Sequence, residues 1–324
     1  MKTKTMRNMA LFAIFVVLAA LLPWIGSPTL VEFGFNALII AILAQGWNTI
    51  GGYTGYASFG NVTFFGLGAY GVGIMMVQWE HSFIAGLLFG LVLAVMFAYL
   101  IGLPILRLKG HYFAIATLAL SQMVAAVITN IDVAGGNQGI PFVEFLDMSW
   151  IDSDAAFYLM ALLLLVLTTT VIWGLTNSKF GFGLIAIREN EDGAAAMGVN
   201  TTWYKVNAFA VSAAFSALAG GIYAYKMTYI DPEQVFAAHW NVQMIIMAVF
   251  GGAGTVFGPI FGAVTLGGIA EFLASEYTHI AGLFYGVVII LAVMLTPHGL
   301  IRMFTGVYRQ GVRYFINNVR ATKL

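Results

Sequence analysis

The chain has 324 residues, of which 60% are hydrophobic and 9% charged, with a net charge of zero and no cysteine. A soluble domain carries roughly a quarter charged residues, so an ordinary globular protein is excluded. Zero net charge without a basic patch gives no footing for nucleic acid, and the lack of cysteine excludes disulfides and thiol chemistry.

An apolar helix needs roughly 20 residues to cross about 30 Å of hydrocarbon, so this length accommodates about ten spans and little else. Met1–Asn8 carries Lys2, Lys4 and Arg7 ahead of an apolar run from Met9 to Trp24. No small-x-small cleavage site follows that run, so it is expected to be a first membrane helix rather than a signal peptide. Hydropathy predicts spans near 9–25, 31–50, 58–78, 83–103, 112–130, 155–175, 204–225, 241–254, 256–274 and 280–296. The fold class expected is an all-α polytopic membrane protein, one transmembrane domain over 1–324, with both termini cytoplasmic.

The charges test this layout independently. With the N-terminus inside, the loops near 104–111, 176–203 and 251–258 and the tail are cytoplasmic, and every Lys and Arg except Lys226 falls on that side. The loop 131–154 carries Asp132, Glu144, Asp147, Asp152 and Asp154 and no basic residue. That asymmetry is what the positive-inside rule requires, and a wrong span count would scramble it. Spans two to five begin outside and seven to ten begin inside, which suggests two halves of inverted topology. The tail 297–324 reads as a short amphipathic segment whose Arg309, Arg313 and Arg320 can face membrane lipid.

Several chemistries are missing. No glycine is followed by lysine, so there is no phosphate-binding P-loop, and there is no H-E-x-x-H. The five histidines are scattered near membrane boundaries, and no metal site is expected. Intramembrane charge is confined to Lys226 and Glu271, both expected near the outer surface. Ion-coupled carriers use ionisable or ion-coordinating groups at mid-depth, so their absence argues that the driving energy comes from elsewhere.

Three segments remain as candidates for function. The first runs from Gly51 to Tyr70 and contains Tyr53, Gly55, Ser58, Asn61, Thr63 and Gly66. Glycine at this density allows close packing and local unwinding, tolerated in lipid only where protein or a water-filled cavity satisfies the backbone. It serves either as packing or as a wall of a translocation path. The second contains Gly251, Gly252, Gly254, Gly258, Pro259 and Gly262, where Gly254, Gly258 and Gly262 form a small-x-x-x-small ladder suited to packing or a hinge. The third is the cytoplasmic loop from Lys179 to Gly198. Asn190 can cap a short helix, Glu191 and Asp192 suit its first turn, and Gly198 suits its end. Ala194 to Met197 give a small, smooth surface, fit either for docking a soluble partner or for an ordinary loop helix.

These segments together resemble the permeases of branched-chain amino acid ABC importers, of the LivM-like kind in the LivH/LivM family. The resemblance is carried by Gly52–Gly73, Leu106–Leu118, Phe180–Gly198 and Gly251–Gly262, in that order, and covers most of 40–300. It implies a type II importer-like permease domain in the bacterial inner membrane, without an ATPase site of its own and binding no cofactor. ATP and Mg would be held by two LivG/LivF-like ATP-binding subunits. The further partners implied are a homologous LivH-like permease and a periplasmic substrate-binding protein. The resemblance also implies that the loop carrying Arg188, Glu189, Glu191, Asp192, Ala194, Ala195 and Gly198 docks into the ATP-binding subunit. Gly193 stands where the family carries a bulkier residue, and Tyr56, Phe59 and Asn61 replace the family's usual glycine-segment residues. Leucine, isoleucine or valine is the solute implied; relatives carry urea, short amides or other amino acids. An ion-coupled secondary carrier or channel is the reading that would need no ATPase.

Overall fold

A computed structural model describes residues 2–142 and 154–276, with positions 286–287, 290, 299–300 and 303. The predicted span at 280–296 and the tail 297–324 lie largely outside the described residues. The described chain is helical almost throughout. The long helices are α1 (Lys2–Ile25), α2 (Pro28–Thr54), α3 (Asn61–Gly73), α4 (Phe83–Ile105), α5 (His111–Thr129) and α6 (Asp154–Thr176). They continue with α7 (Lys179–Glu189), α8 (Glu191–Ala196), α9 (Thr201–Met227), α10 (Pro232–Val235), α11 (Ala238–Gly252) and α12 (Gly258–Glu276).

Among the described residues, six segments are long and apolar enough to cross a membrane: α2, α4, α5, α6, α9 and the stretch Pro232–Gly252. Phe12–Ile25 and Gly258–Ala270 are shorter apolar helices. The helix starts are written locally. Ser27, Ser82, Ser178, Asn190, Asn200 and Asp231 each accept a backbone N–H of the first turn with the side chain, satisfying donors that a helix start leaves unpaired. Pro28 and Pro232 sit in the first turn, where no amide is needed.

The centre of the bundle is α3, all of whose residues are buried. It is held between α4 and α9 by backbone-close contacts. Gly86, Gly90, Ala94, Ala98 and Gly102 place a small residue on the buried face of α4 at every fourth position. Gly90 lies against Gly68 and Gly71 of α3, Gly86 against Val72, and Gly102 against the Phe209 ring of α9. From the other side, a Cβ at Gly68 would land on the Ala217 carbonyl, and one at Gly220 on the Phe65 carbonyl. Lipid offers no hydrophobic push between helices, so association depends on such close van der Waals packing.

Helix α9 also gives the bundle its scale. Lys205 lies in its early turns and Lys226 in its last, about 31 Å apart along the axis at 1.5 Å per residue, close to the thickness of a hydrocarbon core. At the Lys226 end are its ion pair with Asp154, at 3.2 Å, and a short antiparallel pairing of Ile140–Pro141 with Tyr229–Ile230. At the Lys205 end are the α4–α5 loop, which carries Arg107 and Lys109, and the pair α7–α8, which carries Lys179 and Arg188. These basic residues, expected on the inner side, therefore share one end of the bundle.

Candidate functional site: the loop helix and two broken connections

The segment between α6 and α9 folds as two short helices at the end of the bundle. Its glycines have specific neighbours: a Cβ at Gly181 would meet the Thr176 backbone, and one at Gly183 the Tyr204 ring. Phe180 stacks on Tyr204 with ring centroids 5.3 Å apart, which pins α7 to the start of α9. At the α7–α8 junction Asn190 is extended, and its Oδ1 accepts the Gly193 N–H at 2.9 Å. Glu191 and Asp192 occupy the first turn of α8, where negative charge is favoured. Gly198, at φ +88°, takes the left-handed conformation just beyond it.

The loop residues singled out above divide into two sets. Glu189, Asp192, Ala195 and Gly198 face outward with Ala196 and Met197, which is 87% exposed. Ala194 is buried, so the smooth outer surface begins one residue later than the sequence suggests. Arg188 and Glu191 turn inward.

Glu191 meets a buried lysine. Lys205 is 3% exposed, and its Nζ donates to Glu191 Oε1 at 2.6 Å, to the Leu106 carbonyl at 2.8 Å and to the Tyr56 hydroxyl at 3.0 Å. The Tyr56 hydroxyl donates in turn to Glu191 Oε2, and the ammonium lies over the Tyr56 ring. All three ammonium protons are thus used, as an uncompensated buried charge would be costly. Burial pushes the Glu191 carboxyl up, but the hydrogen bonds from Lys205 and Tyr56 and the charges of Lys205 and Lys109 outweigh it, leaving it below the ordinary carboxylate range. Asp192 pairs with Lys109 of the α4–α5 loop at 2.8 Å, both exposed. That hydrogen bond lowers the Asp192 carboxyl and raises the Lys109 ammonium.

Arg188 joins the loop to both glycine segments. Its Nη1 donates to the Gly52 carbonyl at 3.1 Å, and the same guanidinium abuts Gly254. Glu189 pairs with it at 2.9 Å.

The first glycine segment is broken between α2 and α3. Gly55 ends α2 at φ +78°, its N–H still donating to the Gly51 carbonyl, and residues 56–59 run without helical hydrogen bonds. Side chains take up that backbone: Trp47 Nε1 donates to the Ser58 carbonyl at 2.7 Å, and the Phe59 N–H donates to Thr117 Oγ1 at 3.0 Å. Asn241 of α11 donates to the Phe59 carbonyl at 2.6 Å and accepts the Val62 N–H at 3.1 Å. Of the candidate path residues, Tyr53, Ser58, Asn61, Thr63 and Gly66 are buried and only Gly55 reaches the surface. Asn61 donates to Ser212 Oγ at 2.6 Å, and Gly66 lies beneath the Phe236 ring.

The second segment is broken between α11 and α12. Gly252 and Gly254 have φ of +127° and +74°. Gly251 packs against Gly258 and Gly262, and Pro259 is buried in the first turn of α12. The expected ladder through Gly254, Gly258 and Gly262 is therefore not one helix face: Gly254 belongs to the turn, and the close approach is between Gly251 of α11 and Gly258 and Gly262 of α12.

Sequence reasoning missed Asn48, Asn241, Trp47 and Tyr56 as structural contacts, and counted Lys205 as an ordinary inner-loop charge. The available signal was polar: asparagine inside an apolar span needs a partner.

A family model described as the branched-chain amino acid transport system permease component matches residues 29–293. The high-affinity branched-chain amino acid transport system permease protein LivM of Salmonella typhimurium is 30% identical over 315 residues, covering 89% of this chain and 73% of that protein. LivM of Escherichia coli is 28% identical over 325 residues, covering 92% and 76%. The autoinducer 2 import system permease protein LsrC of Yersinia pseudotuberculosis is 27% identical over 196 residues, covering 55% and 53%. No solved structure matches the chain.

Proposed function

The chain belongs to the family of branched-chain amino acid transport system permease components, and from that premise we propose that it is the membrane-spanning permease subunit of an ATP-driven importer for leucine, isoleucine, valine or a related amino acid. Amino acid is favoured over the autoinducer because the LivM relatives match about nine-tenths of the chain and LsrC little more than half.

In this reading the chain has ten spans with both termini in the cytoplasm, in a bacterial inner membrane. It pairs with a homologous permease and receives solute from a periplasmic binding protein. Two ATP-binding subunits hold ATP and Mg, and one of them docks on α8. The observation that carries the docking claim is the two-faced loop helix: Ala195, Ala196 and Met197 are exposed and carry no charge, while Glu191 and Arg188 fix the other side to the bundle. Closure of the ATPases would draw the loop helices together and switch access to the pathway from one side to the other. Gly55 and the buried residues Tyr53, Ser58, Asn61, Thr63 and Gly66 are the candidate wall of that pathway.

The test is solute-stimulated ATP hydrolysis by the reconstituted complex, with and without Ala195→Arg. Loss of ATPase association with normally inserted permease supports the docking surface. Unchanged association and uptake would overturn it.

A further inference from the structure

We infer that Lys205 is a positioning residue of the transport cycle, the node that ties displacement of α8 to the unwound connection between α2 and α3. This rests on the docking reading above.

Among the described residues, few side chains besides Glu191 hold α8 in place. It has six residues, and Ala194 is the side chain it buries. Two of its side chains form ion pairs with the rest of the chain. Asp192 meets Lys109 with both partners exposed, and such pairs are weak because water and salt screen them. Glu191 meets Lys205 with side-chain exposures of 16% and 4%, in a geometry completed by Tyr56 and the Leu106 carbonyl. A displaced α8 therefore pulls first on Lys205.

Lys205 is bonded to three separate parts of the chain at once: α8 through Glu191, the α4–α5 loop through Leu106, and residues 55–60 through Tyr56. The last of these matters most. Residues 56–59 are not stiffened by helical hydrogen bonds, and the backbone of Ser58 and Phe59 is held by Trp47, Thr117 and Asn241 from α2, α5 and α11. A shift at Tyr56 is thus handed to three membrane helices. The long C-terminal body of α9, glycine-packed into α3 and α4, has no comparable freedom.

The experiment uses the full complex in proteoliposomes, with L-leucine as the transported probe, and reads uptake per ATP hydrolysed. With Lys205→Met the ATP-binding subunits are expected to co-purify and hydrolyse ATP, while uptake per ATP falls about tenfold. Lys109→Met, which breaks the exposed pair on the same helix, changes that ratio by less than about twofold. Tyr56→Phe removes only the hydroxyl between Lys205 and Glu191, and the ratio is expected to fall severalfold; this variant carries the test if Lys205→Met does not insert. A wild-type ratio in Lys205→Met or Tyr56→Phe overturns the inference. So does loss of the ATPases from Lys205→Met, which would make Lys205 a shaper of the docking surface only. The docking reading fails separately, if Ala195→Arg leaves ATPase association unchanged.

Discussion

Asn48 of α2 and Asn241 of α11 hold each other's broken connections. Asn48 donates from Nδ2 to the Thr255 carbonyl at 2.9 Å and accepts the Gly254 N–H at 2.8 Å, closing the turn between α11 and α12. Asn241 does the same for the connection between α2 and α3, through the Phe59 carbonyl and the Val62 N–H. Each carboxamide offers one donor and one acceptor to one freed carbonyl and one freed amide, so the two interrupted helix pairs complete one another. Asn48 thus satisfies the unwound backbone after α11, and Asn241 that after α2, as unwound backbone within a membrane protein requires.

Asn241→Leu is expected to cost about 2–4 kcal/mol, because the buried Val62 amide and the half-buried Phe59 carbonyl lose their partner, and Asn48→Leu about 1–3 kcal/mol, because Gly254 and Thr255 are half-buried. Asn→Asp at either position sets a buried carboxyl against the carbonyl that the amide had donated to, and should cost at least as much as leucine near neutral pH. Thermal unfolding of the detergent-purified chain checks the order. A leucine variant as stable as wild type would mean that water replaces the side chain.

The glycines of the bundle separate into those that permit contact and those that do not. Gly68→Ala and Gly220→Ala place a methyl on a backbone carbonyl, and backbone cannot yield as a flexible side chain does. Each should destabilise by about 3 kcal/mol or abolish insertion. A methyl at Gly174 of α6 would have no neighbour within 4 Å. Gly174→Ala should therefore be neutral or stabilising by about 1 kcal/mol from helix propensity alone. Thermal unfolding of the three variants side by side checks the contrast, and a Gly68→Ala protein as stable as Gly174→Ala would contradict it.

Breaking the buried pair without the transport machinery should also register in the isolated permease. Lys205→Met leaves Glu191 facing Tyr56 without its cation and should cost about 3 kcal/mol. The pH dependence has a defined sign. The folded Glu191 carboxyl titrates below its ordinary value, so its contribution is complete above that ordinary value and is lost as pH falls through the depressed one. The stability gap between wild type and Glu191→Gln should thus be constant near neutrality and close below about pH 4. A gap that widened on acidification would contradict the pairing.

Much of this architecture was legible from local rules. The capping serines and asparagines, the short helix after Asn190 and its end at Gly198 follow from residues within a few positions of each other. The charge asymmetry likewise anticipates which described loops share an end of the bundle. What could not be read was long-range pairing. Lys205 looks like an inner-loop charge because its partners are Glu191, Tyr56 and Leu106, brought together only by the fold. The ladder on α4 from Gly86 to Gly102 was written plainly at four-residue spacing, yet it sits in the most uniformly apolar span, where composition draws the eye away from pattern. The path residues show the opposite limit. Glycine and small polar side chains mark an interrupted helix equally well whether they face a partner helix or a solute, and five of the six are buried within this chain.

The lack of cysteine makes orientation directly measurable, because single introduced thiols report without background. Met197, beyond α8, and Glu233, in α10, are both exposed and lie at opposite ends of α9. With the basic end inside, Met197→Cys should react with a membrane-impermeant maleimide in inside-out vesicles and not in intact spheroplasts; Glu233→Cys should do the reverse. Labelling of Met197→Cys from outside would invert the topology and remove the docking surface from the ATPases. The same thiol then tests occupancy. Adding the ATP-binding subunits should slow its labelling severalfold if they cover α8, while a thiol at Phe182, exposed on α7, reports how far along the loop the covered surface extends.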